Sequence, residues 1–214
     1  MAVSRGMDGE VGEAIAAFKS GRPVMIYDSD YREMETDLLW HAAAATPEVI
    51  RRLRNDCGGL LFLAIGNEIG EMFGLPWLQD IHSHESLVEE NPVLGHLVTN
   101  DLQYDSRSAF TLSLNHRETY TGITDRDRSL TTRRFGELSG ELIEEDQDAF
   151  RAIERLGKEF RTPGHIPVCR ESPGGLKTRQ GHTELAVSIA RLAGLTACTI
   201  GAEMLEPEGD GALS

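Results

Sequence analysis

Residues 23–40 read PVMIYDSDYREMETDLLW. Two apolar runs, residues 23–27 and 38–40, enclose five carboxylates (Asp28, Asp30, Glu33, Glu35, Asp37) and one arginine, Arg32. A short apolar run with β-branched residues, closed by turn chemistry, predicts a buried strand over 23–28. The second run also calls for burial. Carboxylates crowded at the end of a buried strand repel one another and are pushed towards the neutral form. Arg32 or a divalent cation would relieve that, and oxygen-rich clusters suit Mg2+. Glu33, Glu35 and Asp37 are spaced by two, which in an extended chain puts them on one face. Taken alone, the stretch fits a solvated acidic loop better than a site.

Working outward, VGEAIAAFKSG (11–21) predicts a short amphipathic helix closed by Gly21. ATPEVIRRLRND (45–56) predicts another, with Thr46 as N-cap and Pro47 at its first position. GLLFLAI (59–65) and TACTIGAEML (196–205) read as buried strands, and SAFTLSLN (108–115) as an alternating one. Helices are expected to open at Thr124 or Asp125, over 145–160 and over 182–193. Residues 66–107 predict one short helix and otherwise loop, and the tail 206–214 is expected to fray. Short apolar strands intermixed with helices predict an α/β (α+β) fold: one domain over 1–214, its mixed β-sheet flanked by helices in three layers.

The totals agree with one domain of 214 residues with a real core. A net charge of −14 argues against nucleic acid and anionic membranes as partners. Three cysteines, far apart and without a CxxC, argue against a disulfide framework or a zinc knuckle. No stretch approaches the ~20 apolar residues that span a bilayer. The first 18 residues show no leader pattern, so a cytoplasmic protein is expected.

Three more stretches can carry chemistry. In RQGHTELAVSIARLAG (179–194), Gly181, His182 and Thr183 stand at a helix N-terminus, where free N–H groups favour an anion. Arg179 could grip a phosphate and His182 could ligate a metal. In FRTPGHIPVCR (160–170), a Pro163-Gly164 turn would present His165 as a general acid or base. Glu203, at the end of an apolar strand, must be paired or functional. IHSHESL (81–87) imitates a metal site but sits in the least regular part of the chain and reads as solvated loop.

In this order, the stretches GRPVMIYDSDYREMETDLLWHAA, NDCGGLLFLAI, HRETYTGITDRDRSLTT, RTPGHIPVCRESPGGLKTRQGHTELAVSIARLAGL and AEM resemble the 3,4-dihydroxy-2-butanone 4-phosphate synthases of riboflavin biosynthesis. The single-function, archaeal-like branch fits best. Bacterial members often read Arg-Glu-Asn-Glu-Gly-Asp where this chain has Arg32 to Asp37, with Met34 and Thr36, and often have arginine where Tyr120 stands. The resemblance implies conversion of D-ribulose 5-phosphate to L-3,4-dihydroxybutan-2-one 4-phosphate and formate. It also implies Mg2+ (or Mn2+) and a homodimer with shared active sites. Mapped onto this chain, Glu33 and His182 would hold the metal. Arg32, Glu33 and Asp37 would meet the sugar hydroxyls, and Arg179, Gln180, Gly181, His182 and Thr183 the phosphate end, with Thr121 a further contact. His165 and Glu203 fall on the family's essential positions, and Cys57 where members often have a pocket cysteine. Asp28, Glu35 and Asp37 would supply proton transfer. Another metal-dependent sugar-phosphate isomerase or aldolase would share these features, and formate release separates the two.

Overall fold

The computed structural model describes residues 9–99, 101–146 and 148–213; the first eight of the 18 residues read above for a leader lie outside them. Helix α1 (Glu10–Lys19) ends as expected before Gly21, whose φ of 76° a side chain would resist. Strand β1 (Val24–Tyr27) then pairs antiparallel with β2 (Thr36–His41), so the acidic stretch is the turn of a hairpin. β1 is not the buried strand expected over 23–28. It is a sheet edge with Met25 66 % exposed. A four-residue apolar run does not distinguish an edge from a centre.

The hairpin also overturns the expectation of a shared face for Glu33, Glu35 and Asp37. Only Asp37 lies in a strand. Glu33 and Glu35 ride on the turn, shaped by Asp28, whose carboxylate accepts the backbone N–H groups of Glu33 (2.9 Å) and Glu35 (3.2 Å). Met34 sits between them at a φ of 57°.

After β2, Thr46 caps α2 (Pro47–Asp56), accepting the Val49 N–H at 3.3 Å. Strand β3 (Gly58–Ile65) follows. The described part of residues 66–107, expected to be mostly loop, carries four short helices: α3 (Asn67–Met72), α4 (Leu78–His82), α5 (Glu85–Glu90) and α6 (Val93–His96). His82, His84 and Glu85 of the false metal motif are exposed. Strand β4 (Phe110–His116), helix α7 (Asp125–Glu144, capped by Thr124) and helix α8 (Ala149–Glu159) lead into β5 (Phe160–Arg170). The turn expected at Pro163-Gly164 is a bulge inside β5. Leu114 pairs with Ile166 while the next residue, Asn115, pairs with Arg161, so residues 162–165 loop out. Helix α9 (His182–Leu192) and strand β6 (Cys198–Met204) complete the chain.

Among the described residues the strands form one mixed sheet, ordered β1-β2-β6-β3-β5-β4, with β3 and β5 parallel and the other pairs antiparallel. Helices α1 and α9 cover one face, α2 and α7 the other. Neighbouring side chains of β2 report this: His41 meets Phe18 of α1, and Trp40 lies under Arg52 of α2. Strands covered on both sides read as continuous apolar runs, which is what Leu61–Ile65 and the middle of β2 and β6 show. The tail, expected to fray, is tied down. Leu213 donates to the Met204 carbonyl (2.7 Å) and accepts from the Thr36 N–H (2.9 Å), closing the end of the sheet that carries the acidic turn.

Candidate active site

The N-terminus of α9 and the acidic turn meet at one end of the sheet, beside a cavity of about 240 Å³ lined in part by Glu33, Asp37, Glu203, His182, Thr183 and Arg179. His182 is the hub. Its Nε2 donates to the Glu35 carbonyl at 3.0 Å, and its Nδ1 lies 3.1 Å from Glu33 Oε2. Burial would lower the imidazole pKa, but the hydrogen bond to Glu33 and the charge of Asp37 outweigh it and carry the pKa up to about 9. The hydrogen bond to His182, against burial, holds Glu33 below the usual carboxylate range.

Ligand atoms of Asp28, Glu33 and His182 all lie within 4.8 Å of one another. Two carboxylates and an imidazole are a donor set that Mg2+ or Mn2+ accepts. The Nε2–H bond to Glu35 fixes the tautomer that leaves Nδ1 free to coordinate. Asp28 was read from the sequence as a proton carrier. Here it also holds the turn together: burial raises its pKa, but N–H bonds from Glu33, Ser29 and Glu35 bring it below normal.

Asp37 is fully buried, and both its oxygens lack a hydrogen-bond partner. Its Oδ1 is 3.7 Å from His182 Nε2, and in the sheet it stands directly opposite Glu203. Burial, opposed by His182 and reinforced by Glu203, pushes its pKa up to about 8. Burial raises Glu203 as well, and Glu35, whose carboxylate does not line the cavity. A buried carboxyl without a partner costs stability, and such groups gather where a ligand completes them. Glu203 reaches the cavity past Gly59, where a Cβ would stand 2.5 Å from the Glu203 carbonyl oxygen.

The arginines are bound to acids. Arg179 Nη1 donates to the buried Glu184 (2.5 Å), while its Nε and Nη2 reach Asp105 at 2.9 and 2.8 Å. Arg32 Nη2 reaches the same Asp105 oxygen at 2.6 Å, with Tyr104 against its guanidinium. The Arg179 guanidinium packs on Gly181, where a Cβ would lie 2.3 Å from Nη1. Tyr104 and Asp105 escaped the sequence reading altogether. No periodicity or cap marks them; the one available signal was a carboxylate flanked by Tyr104 and Arg107 in an irregular segment.

Other candidates lie elsewhere. Gln180 is exposed and does not line the cavity. Cys57 is buried at the end of α2, close enough to Asp37 and Glu203 that burial, Asp56 and those two acids push its thiol up to about 12, but it is Cys169 that lines the cavity. His165 is exposed on the β5 bulge, held by Asn115 through its backbone N–H (2.8 Å) and its ring (3.1 Å). Thr121 is exposed in the turn before α7, where the Asp127 carboxylate accepts the N–H groups of Thr121 and Gly122. Asn115 joins these two sites, since a Cβ on Gly122 would strike it at 2.2 Å.

A mixed sheet that brings hard oxygen donors, an imidazole and two guanidiniums to one small cavity defines the class: an α/β enzyme built for a divalent cation and a compact anion. Residues 12–213 match the 3,4-dihydroxy-2-butanone 4-phosphate synthase family, and the chain belongs to it. It is 39% identical to the 3,4-dihydroxy-2-butanone 4-phosphate synthase of Methanothermobacter thermautotrophicus over 95% of this chain and 84% of the relative. The Archaeoglobus fulgidus enzyme of that name is 40% identical over 94% and 82%. A solved 3,4-dihydroxy-2-butanone 4-phosphate synthase in complex with two magnesium ions superposes with a TM-score of 0.68 at 26% identity, over 94% of this chain and 80% of that one.

Proposed function

We propose that the protein converts D-ribulose 5-phosphate to L-3,4-dihydroxybutan-2-one 4-phosphate and formate in riboflavin biosynthesis. The observation that carries this reading is the Asp28–Glu33–His182 donor group set beside Asp37 and Glu203, inside a chain of this family. Glu33 and His182 hold the cation, with Asp28 as a third donor; we assign Mg2+, with Mn2+ the alternative. When bound, the cation polarises the substrate carbonyl and offsets the negative charge that develops next to it.

The remaining work falls to the chain's own groups. Removing protons beside a carbonyl and expelling a hydroxyl needs acids and bases that change state near neutral pH. Asp37, with a pKa of about 8, is such a group, and Glu203, raised by burial, faces it on the adjacent strand. Arg32, Glu33 and Asp37 address the sugar hydroxyls, and Arg179 with the N–H groups at Gly181 to Thr183 addresses the phosphate.

His165 and Thr121 belong to the site of a second copy. They sit together around Asn115, exposed, and neither lines the cavity of their own chain. Tyr120 (94 % exposed) and Ile123 (52 %) flank Thr121 and give that surface apolar area for a partner. The reading is therefore a homodimer with shared sites. It works in the cytoplasm, where phosphorylated sugars are made, and has no use for nucleic acid or membrane.

Variants Glu33→Gln and His182→Ala test the assignment. Each should lose at least about a thousandfold in formate production while keeping the wild-type circular dichroism. Either variant running at the wild-type rate with limiting metal would remove the metal assignment.

A further inference from the structure

Asp105 lies in an irregular segment, yet its Oδ2 collects three guanidinium N–H groups: Arg32 Nη2, Arg179 Nε and Arg179 Nη2, at 2.6 to 2.9 Å. Nε with its neighbouring Nη is the edge of arginine that best fits an oxyanion. One oxygen gathering that edge and a second arginine is in the position a phosphoryl oxygen would take. Arg179 has little else to offer, since its Nη1 is engaged by buried Glu184. Arg32 Nη1 turns the other way, 3.6 Å from both Asp28 Oδ2 and Glu33 Oε2, so only its Nη2 edge serves Asp105.

The segment that carries Asp105 also divides space. Tyr104, Asp105, Arg107 and Arg179 line both the active-site cavity, about 240 Å³, and a second cavity of about 470 Å³ behind it. The first falls short of the roughly 300–1,000 Å³ usual for small-ligand sites. Tyr104 and Asp105 are half of the wall that the two cavities share. The segment is tethered at its far end: Arg107 stacks 3.9 Å from the Trp77 ring and lies 3.8 Å from Asp80, and the Ala109 carbonyl accepts the Arg170 N–H.

We propose that Asp105 is an internal stand-in for the substrate's phosphoryl group, and that residues 101–109 form a strap which leaves the Arg179 edge when a phosphate enters and so frees Arg32 for the sugar. This rests on the sugar-phosphate reading of the same site. A dianion and a carboxylate do not share one slot at contact distance, so phosphate binding and strap docking compete. The stand-in keeps two desolvated arginines paired in the empty enzyme and lowers apparent phosphate affinity by the fraction of time the strap is docked.

The test uses inorganic phosphate as the probe, with the full chain and Mg2+. Asp105→Asn keeps the shape and removes the charge, and should bind phosphate about tenfold more tightly by calorimetry. Equal or weaker binding than wild type overturns the proposal and makes Asp105 a holder of the two arginines. A second measurement needs no variant. Saturating phosphate should speed tryptic cleavage after Arg107 in the wild-type protein, and unchanged or slower cleavage also overturns the proposal. Formate release is assayed on the same preparation. Its absence from wild type would defeat the functional reading, while the phosphate data still decide whether the strap guards an anion slot.

Discussion

Asp37 is the residue whose burial costs this chain most plainly. It is a fully buried carboxyl with two unpartnered oxygens and a pKa of about 8. Asp37→Asn removes the charge without changing the shape. It should raise the melting temperature of the metal-free protein at pH 8 and reduce formate production at least about a hundredfold. A variant both less stable and fully active would mean that Asp37 is paired in solution by something else. Met34 is a simpler case. Its φ of 57° suits asparagine or glycine, so Met34→Asn should stabilise the fold by about 1 kcal/mol, a rise of about 2–4 °C in Tm. His182 gives a metal prediction. Its pKa of about 9 means a proton must leave before the metal binds, so Mn2+ affinity should rise about tenfold per pH unit between pH 7 and 9. A flat profile in a Mn2+ titration would show that Nδ1 is not a ligand. At this scale the sequence was legible where a residue acts through its neighbours, as at Thr46 or Gly21. It was silent on Asp105, whose partners are 73 and 74 residues away.

At the scale of elements, helices with local punctuation could be read directly. Helix α2 carries its cap and Pro47, and α9 begins at His182 as its polar start suggests. What local pattern does not encode is who pairs with whom. β1 reads as apolar and buried but is an edge, and the β5 bulge reads as a turn because Pro163-Gly164 is the same signal in both settings. The bulge makes its own prediction. A Cβ on Gly164 would fall 1.9 Å from the Leu114 carbonyl carbon, so Gly164→Ala must push β4 and β5 apart. Chemical denaturation should show a loss of about 3 kcal/mol, and a neutral result would mean the bulge is looser than the geometry here.

At the scale of the whole molecule, the charges around His182 set the pH response of the metal-free protein. The raised His182 pKa contributes stability that is fully present below the unfolded value of 6.5 and is lost as pH rises through about 9. The raised Asp37 pKa acts in the same direction, with a penalty absent below 3.8 that grows until about pH 8. With both groups acting together, chelated protein should therefore lose on the order of 5 kcal/mol between pH 6 and pH 9 in urea melts. Shared sites can be tested by mixing. Glu33→Gln and His165→Ala, each inactive alone, should recover about a quarter of wild-type activity once subunits exchange, because half the dimers then hold one intact site. The measurement closest to the central claim is made on wild-type protein given ribulose 5-phosphate labelled with 13C at its fourth carbon, with Mg2+ and then with chelator, and followed by NMR. Labelled formate that appears with metal and stops with chelator is the predicted result. Substrate consumed without labelled formate, or formate released equally under chelation, would contradict it.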